Sequence, residues 1–193
     1  MARRREFDPE IALDRAMEQF WRSGYARTSV RDLVRETGVA HAGLYAAFGG
    51  KDGLFAAALD RYDERVVETV FGPLERPGAG RREIEALFQQ VVDGVRSGSF
   101  RRGCLMATTA VEQAARDDAV GRRVRRNHRR QVAAFENALR VGVEVGTMRP
   151  DLDVAGTAHL LAAQFHGLSA LARADVEVEA IERAAMAAIA LLD

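Results

Sequence analysis

The stretch from Thr28 to Lys51, TSVRDLVRETGVAHAGLYAAFGGK, constrains the fold more than any other part of the chain. Ser29 is a good helix N-cap, and Asp32 three residues later completes the pattern of a capping box. Gly38 marks the end of this helix, because glycine readily takes the left-handed conformation that follows many helices. A second short helix begins after Val39. Two short helices around a glycine-bearing turn are typical of a helix-turn-helix.

The second of these helices has an inward apolar side and an outward side of small and polar residues. Leu44 and Phe48, four residues apart, mark the inward side. The outward residues are His41, Ala42, Gly43, Tyr45 and Ala46. A helix that enters the major groove needs small side chains for close approach and a few groups that bond base edges or phosphates. The pattern favours DNA binding, and the alternative is an ordinary helical hairpin in an all-α domain.

Length and composition predict an all-α protein with a small head and a larger body. The 193 residues include only four prolines and show no β-branched alternation. There is no run of eighteen apolar residues that would span a bilayer. Because no signal peptide is evident and Cys104 is the single cysteine, we expect no intrachain disulfide and a cytoplasmic location.

The balanced formal charge hides an uneven distribution. Residues 101–130 hold nine arginines against three acidic residues, whereas residues 144–193 hold eight acidic residues against three arginines. Phosphate contacts are local, so a net charge of zero does not count against a nucleic-acid partner. Lys51 is the only lysine in the chain.

Apolar periodicity and helix stop signals predict about nine helices. Asp8 and Pro9 open the first helix, which Gly24 ends. A long amphipathic helix begins between Gly50 and Asp52 and ends at Gly72-Pro73. The later helices are expected over 82–96, from about 103 to 116, from 117 or 118 to about 145, over 154–173 and over 178–192.

The first sixty residues resemble the DNA-binding part of tetracycline-repressor-like (TetR-like) transcriptional regulators. The residues that carry the resemblance are Gly24, Tyr25, Thr28, Val30, Arg31, Asp32, Leu33, Gly38, Val39, Leu44, Tyr45, Phe48, Lys51, Leu54 and Phe55. The Gly103-Cys104-Leu105 segment is similar to a subset of the same family. The resemblance implies a DNA-binding domain over residues 1–50 and an effector-binding and dimerisation domain over residues 51–193.

The same resemblance implies the residues that contact DNA. Tyr45, Lys51 and Thr28 are expected to hold phosphates. The residues His41, Ala42 and Gly43 are expected to face bases. The full set of expected DNA-binding residues is Arg27, Thr28, Ser29, Ala40, His41, Ala42, Gly43, Tyr45 and Lys51.

Two features near the DNA-binding residues leave the details of binding open. The sequence departs from the family pattern at Ala40, Ala42 and Gly43, where polar residues are common, so base recognition is expected to rely partly on thymine methyl contacts and DNA shape. Arg3, Arg4 and Arg5 are either a solvated tail or an arm along the DNA.

The expected partners are a double-stranded DNA operator, a second copy of the chain and a hydrophobic or amphipathic small molecule. The resemblance implies that the last two helices form a four-helix bundle with the second subunit. Candidate effector-pocket residues are Phe88, Met106, Gln113, Phe135, His159, Gln164, Phe165 and His166. We expect neither a cofactor nor a metal, since the spacing of His159 and His166 does not match a helical zinc site.

Other interpretations of single features remain open. Cys104 is either a small buried residue or a redox or electrophile sensor whose pKa is lowered by Arg101 and Arg102. The run from Arg122 to Arg130 is either a solvated face paired with acidic neighbours or a second nucleic-acid surface.

The sequence therefore predicts a homodimeric, ligand-responsive DNA-binding regulator, most readily a repressor. The alternatives are a thiol-based sensor of the same fold and a helical interaction module that does not bind DNA. An all-α enzyme is not expected, because no catalytic motif is present.

Overall fold

The first three helices form a small head around the helix-turn-helix. The computed structural model describes residues 7–193, so the arginines at positions 3–5 lie outside the described residues. The helices of the head are α1 (Pro9–Ser23), α2 (Val30–Thr37) and α3 (His41–Phe48). Their inward residues Phe20, Leu33 and Leu44 are almost completely buried.

The ends of these helices follow the predicted signals. The Asp8 carboxylate accepts a hydrogen bond from the Glu10 N–H at 2.9 Å and caps α1. Ser29 and Asp32 form a reciprocal capping box, with each side chain accepting from the other residue's N–H at 3.2 and 2.9 Å. Gly38 has a φ of 73° at the end of α2, a conformation that glycine adopts without strain.

A long helical rod follows the head. It consists of α4 (Lys51–Tyr62), a π-helical segment (Asp63–Val67) and α5 (Glu68–Glu75). The Phe20 and Phe55 rings meet edge to face at 4.9 Å, so the first part of the rod completes the core of the head. The domain boundary between residues 50 and 51 stays a prediction.

The predicted end of the rod at Gly72-Pro73 is wrong. Pro73 lies inside α5, which continues to Glu75. Pro73 lacks the N–H that would donate to the carbonyl four residues earlier, but the helix continues past it, and the carbonyl of Leu74 at the helix end has a donor from another helix. Asn137 Nδ2 donates to the Leu74 carbonyl at 2.8 Å, and Leu74 itself is fully buried. Tertiary contacts therefore hold the last turn in place.

Five helices form the body. They are α6 (Arg81–Ser97), α7 (Leu105–Glu112), α8 (Asp118–Glu144), α9 (Val154–Arg173) and α10 (Val178–Ala190). With the rod counted as one helix, residues 7–193 contain nine helices and no strand, which confirms the predicted all-α fold. No helix in this range is long and apolar enough to cross a membrane.

The prediction that α7 reaches Arg116 is also wrong, because this helix ends at Glu112. The Ala114 N–H donates to the Thr109 carbonyl at 3.2 Å, which closes a turn one residue wider than a turn of α-helix. Asp117 then caps α8 by accepting from the N–H groups of Ala119 and Val120. Glu112, the last residue of α7, accepts a hydrogen bond from the Tyr25 N–H of the head at 3.1 Å.

The arginine run joins α8 to the rod. Arg123 and Arg126 both pair with Asp60, at 2.9 and 2.7 Å. Arg130 pairs with Glu75 at 2.6 Å and also with Glu68. The interpretation of this run as a face paired with acidic neighbours is confirmed for these three arginines.

Candidate nucleic-acid interface

The outward face of α3 is exposed and carries mostly small side chains. Its exposed residues are Ala40, His41, Ala42, Tyr45 and Ala46. The His41 and Tyr45 rings lie against each other with centroids 4.8 Å apart. The other exposed residues of this face are alanines, so these two rings are its large side chains. Ala40 supplies no side-chain cap to α3, which leaves the first backbone N–H groups available to a phosphate.

Gly43 does not lie on this outward face as predicted. A Cβ atom at Gly43 would lie 2.9 Å from Val39 Cγ1 and 3.3 Å from the Phe7 ring. Both neighbours belong to the packing between α3 and the rest of the head. Gly43 therefore permits close approach inside the head, and the expectation that it faces bases is corrected.

Tyr45 of α3 packs against Gly50, the residue that precedes Lys51 at the start of α4. A Cβ atom at Gly50 would lie 3.1 Å from Tyr45 Cζ. Lys51 Nζ is 4.0 Å from the centroid of the Tyr25 ring, within range of a cation–π contact. A hydroxyl and an ammonium group in this arrangement are suited to binding neighbouring phosphates.

Tyr25 contacts both Lys51 and Asp52 at the start of α4, although the sequence did not indicate Tyr25 as a site residue. Its hydroxyl donates a hydrogen bond to Asp52, the second residue of α4. Burial and then this bond raise the pKa of Tyr25 to about 12. Burial also lowers the pKa of Lys51. No sequence pattern links Tyr25 to Lys51, because they lie on separate elements.

Thr28 is placed in the interior of the head instead of on its surface. It is completely buried, and its hydroxyl donates to the Gly24 carbonyl at 2.7 Å. The expectation of a phosphate contact through this hydroxyl is therefore wrong. Arg27 is exposed beside it and donates one Nε–H to the Ser23 carbonyl at 3.1 Å. The Ser29 hydroxyl is used in the capping box.

The predicted effector-pocket residues lie in several different places. Phe88 and Phe135 stack with centroids 6.3 Å apart, and Phe71 connects Phe135 to Phe165. Phe88, Phe135, Phe165 and Met106 are all buried in the core of the body.

The polar members of the predicted pocket are spread more widely. Gln113 follows α7, and His159 is exposed on α9. Gln164 donates to the Ala184 carbonyl of α10 at 3.1 Å. His166 Nε2 lies 2.7 Å from Gln131 Oε1 on α8. Burial, and then the nearby His128, lower the pKa of His166 to about 4.

A groove of about 560 Å³ lies between α6 and α10, in the size range of small-molecule sites. Phe88 and Val92 of α6 line it together with Ile189 of α10. Arg81, Arg82, Glu85 and Asp193 supply its polar groups. Of the predicted pocket residues, Phe88 is the one that borders this groove.

Cys104 is buried at the start of α7, with 3 % of its surface exposed. Burial raises the pKa of its thiol, which contradicts the lowered pKa that the sequence suggested. The neighbouring arginines have other partners. Arg101 pairs with Asp175 at 3.4 Å, while Arg102 pairs with Glu18 and lies over the Trp21 ring.

Comparison with known proteins identifies both halves of the chain. Residues 12–58 match the family described as bacterial regulatory proteins, tetR family. Residues 80–188 match the tetracyclin repressor-like C-terminal domain. The matches cover the head with part of the rod, and most of the body.

Individual relatives agree with this assignment. The HTH-type transcriptional regulator YezE of Bacillus subtilis (strain 168) is 29% identical over 194 residues, covering 100% of each chain. The HTH-type transcriptional repressor ComR of Escherichia coli (strain K12) is 30% identical over 177 residues, covering 90% of this chain and 83% of that one. A cysteine mutant of the TetR family regulator CifR, solved with a 26-bp double-strand operator DNA, has a TM-score of 0.86 at 29% identity over 100% of each chain.

The exposed face of α3 and the family matches of both halves of the chain lead to one assignment. The chain belongs to the TetR family of bacterial transcriptional regulators.

Proposed function

We propose that this regulator is a homodimeric repressor that binds a two-fold operator and leaves it when a small molecule binds. The observation that carries the proposal is the exposed face of α3, where His41 and Tyr45 project from a surface of alanines beside Lys51. Two relatives support it: ComR is described as a repressor, and CifR was solved on operator DNA. An operator lies on cytoplasmic DNA, so we place the protein in the cytoplasm.

In this proposal the residues of the interface have separate roles. Tyr45 and Lys51 hold phosphates and set the register of the head on the duplex. His41 contacts a base edge, and Ala42 and Ala46 contact thymine methyl groups. Arg27 adds a charge at the edge of the head. We assign no enzymatic activity to the chain.

The last two helices are suited to a second copy of the chain. Leu160 and Leu171 of α9 and Met186 of α10 are large apolar side chains that are 48, 39 and 55 % exposed. Small exposed residues separate them, namely Ala163, Gly167, Ala170, Ala187 and Ala190. Such a surface allows two helix pairs to approach closely. The resulting dimer would place two copies of α3 about one DNA turn, roughly 34 Å, apart.

The effector is proposed to be hydrophobic or amphipathic. The phenylalanine cluster of the body is apolar, and the groove between α6 and α10 combines apolar side chains with charged ones. A ligand that binds more tightly to one spacing of the two heads shifts the population toward that spacing. The effector would thus favour a spacing that does not match the operator.

The proposal is tested by a gel-shift titration against the DNA that flanks the protein's own gene, at two salt concentrations. Specific binding that weakens at high salt supports the proposal and provides an assay for effectors. Ala42→Glu places a negative charge on the outward face of α3 and is expected to abolish this binding. Ala133→Glu, at an exposed position on α8, is the matched control and is expected to bind as the wild type does.

Two outcomes would contradict the proposal. A folded dimer that does not bind DNA at low salt would favour an interaction module. Equal losses for Ala42→Glu and Ala133→Glu would show that the outward face of α3 has no special role.

A further inference from the structure

A continuous line of buried polar side chains crosses from the rod to α9. Asn127 and Gln131, one turn apart on α8, are 1 % and 0 % exposed. Asn127 Nδ2 donates to Asp63 Oδ1 at 2.6 Å, and Gln131 Nε2 donates to Asn127 Oδ1 at 2.9 Å. His166 Nε2 lies 2.7 Å from Gln131 Oε1. We call Asp63, Asn127, Gln131 and His166 the amide relay.

The hydrogen bonds of the amide relay all run in one direction. Because Gln131 Oε1 can only accept, His166 Nε2 must carry the proton and donate. Gln131 then donates to Asn127, which donates to the Asp63 carboxylate. Rotating either amide by half a turn would break two bonds, and an unpaired buried amide is costly. The three bonds therefore depend on one another.

One end of the amide relay lies where the rod is joined to the head. Asp63 is the first residue of the π-helical segment, a type of helical irregularity that is often found at functional sites. Arg61 and Arg65, on either side of Asp63, pair with Asp14 of α1 at 3.2 and 2.6 Å. The same part of the rod is thus bonded to the head by arginines and to α8 by Asp63.

The other end lies on α9, which also contacts the head directly. Arg173, in the last turn of α9, donates to the carbonyls of Trp21 and Arg22 at 3.0 and 3.2 Å. These carbonyls belong to the last turn of α1, where a cation is favourable. Helix α9 therefore contacts the head directly through Arg173, and through the amide relay it contacts the part of the rod that Arg61 and Arg65 bond to the head. Two separate contacts fix the angle between α9 and the head, whereas a single contact would let the head rotate about it.

We propose that Asn127 and Gln131 are positioning residues for DNA binding. They transmit the position of α9 to the π-helical segment and so set the angle between the head and the body. This inference rests on the proposed function in one respect, namely that two heads must keep a fixed separation on the operator. Without the relay the two heads sample other separations. The apparent affinity for the operator is then the intrinsic affinity multiplied by the fraction of time that the heads spend at the separation that fits the operator.

The test breaks the relay at two residues that do not touch each other. Gln131→Met keeps a side chain of similar size but removes both amide bonds. Asp63→Ala removes the acceptor at the far end, whereas Asp63→Asn keeps an acceptor oxygen. Ser169→Ala is the matched control, because this buried hydroxyl on α9 bonds only to the Phe165 carbonyl of its own helix among the described residues.

Two quantities are measured for each variant. The first is the rate of backbone hydrogen exchange over Asp63–Val67, followed by mass spectrometry. The second is the affinity for a duplex that the wild-type protein selects from random DNA, at several salt concentrations. We expect Gln131→Met to speed exchange in this segment and to weaken DNA binding, each about tenfold. The slope of affinity against salt should not change, because no phosphate contact is lost.

Coupling between the two positions distinguishes a relay from separate structural roles. The double variant Asp63→Ala/Gln131→Met should be no worse than the more damaging single variant, because the relay is already broken. Asp63→Asn should behave as the wild type does, and so should Ser169→Ala.

Additive losses in the double variant, or faster exchange on α8 with no change over Asp63–Val67, would overturn the inference. If Gln131→Met does not fold, Asp63→Ala and His166→Leu provide the same comparison from the less buried ends. If the wild type selects no duplex, the proposed function fails. The exchange data would still decide whether the relay couples α9 to the rod.

Discussion

At the scale of single residues, neighbouring groups decide which side chains are available to DNA. Thr28 and Tyr45 both carry hydroxyl groups near the helix-turn-helix, but only Tyr45 is exposed. The Gly24 carbonyl accepts a hydrogen bond from the buried Thr28 hydroxyl, so this hydroxyl is not available at the surface. Lys51 is held against the Tyr25 ring, which limits the positions that its ammonium group can take.

Lys51→Ala should weaken DNA binding about equally on all sequences, since a phosphate contact carries no base information. Because a dimer loses one phosphate contact from each head, the slope of log affinity against log salt should fall in magnitude by about 2. The measurement is a salt titration with specific and unspecific duplexes. Lys51→Arg keeps the charge and serves as the control. An unchanged slope in Lys51→Ala would remove the phosphate role.

His41→Ala should change base preference more than overall affinity. A good base contact contributes about 1–3 kcal/mol of discrimination, so the preference should relax at the one or two positions that His41 reaches. The measurement is selection from random DNA followed by sequencing. Arg35→Ala, on the exposed side of α2, is the control and should select the wild-type sequences. Identical preferences in His41→Ala and the wild type would rule out base recognition by this ring.

At the scale of helices, local signals set the starting points, and tertiary contacts set several of the ends. Asp8 and Ser29 cap the helices that follow them, as the sequence predicted, and Asp117 caps α8, which was expected to begin at residue 117 or 118. Pro73 did not end α5, which continues to Glu75, and Asn137 from another helix donates to the carbonyl of Leu74 in its last turn. The local sequence around a helix end cannot show a hydrogen-bond donor that lies far away in the chain.

Ser29→Ala should lower the free energy of unfolding by about 1 kcal/mol, because α2 loses its capping side chain. Chemical denaturation with circular dichroism detection gives this value. Ser29→Thr keeps the hydroxyl and is the matched control, with an expected stability close to that of the wild type. Equal stability of Ser29→Ala and Ser29→Thr would show that the capping box contributes nothing measurable.

At the scale of the whole molecule, contacts between distant helices connect the head to the body. Glu112 of α7 accepts from the Tyr25 N–H at 3.1 Å, and Arg173 of α9 bonds the end of α1. The arginines of α8 and the acidic residues of the rod form a third connection. A change of position in α8 or α9 therefore has direct routes to the head and to the rod.

The proposed dimer predicts that Leu160→Asp converts the protein from two chains to one. A buried carboxylate without a partner is strongly unfavourable in a helix-pair interface. Light scattering measures the mass, and operator affinity should fall about a hundredfold because binding by two linked heads is lost. Val145→Asp, at a 66 % exposed apolar position after α8, is the control. A Leu160→Asp protein that keeps the wild-type mass would exclude α9 from the interface.

The sequence alone determined the all-α class, the positions of nearly all helices and four of the five residues that it placed on the outward side of α3, namely His41, Ala42, Tyr45 and Ala46. These features depend on local periodicity, caps and glycines, which act over a few neighbouring residues. The sequence also singled out Lys51, the only lysine, beside the turn that precedes α4.

Only the tertiary structure decided which polar groups remain available. It placed Thr28 in the interior and packed the Cα of Gly43 close to the Val39 side chain. It buried Cys104, which raises the pKa of its thiol. It also joined Asp63 to His166 through two buried amides. Burial and hydrogen-bond partners depend on residues far apart in the chain, so no local pattern could reveal them.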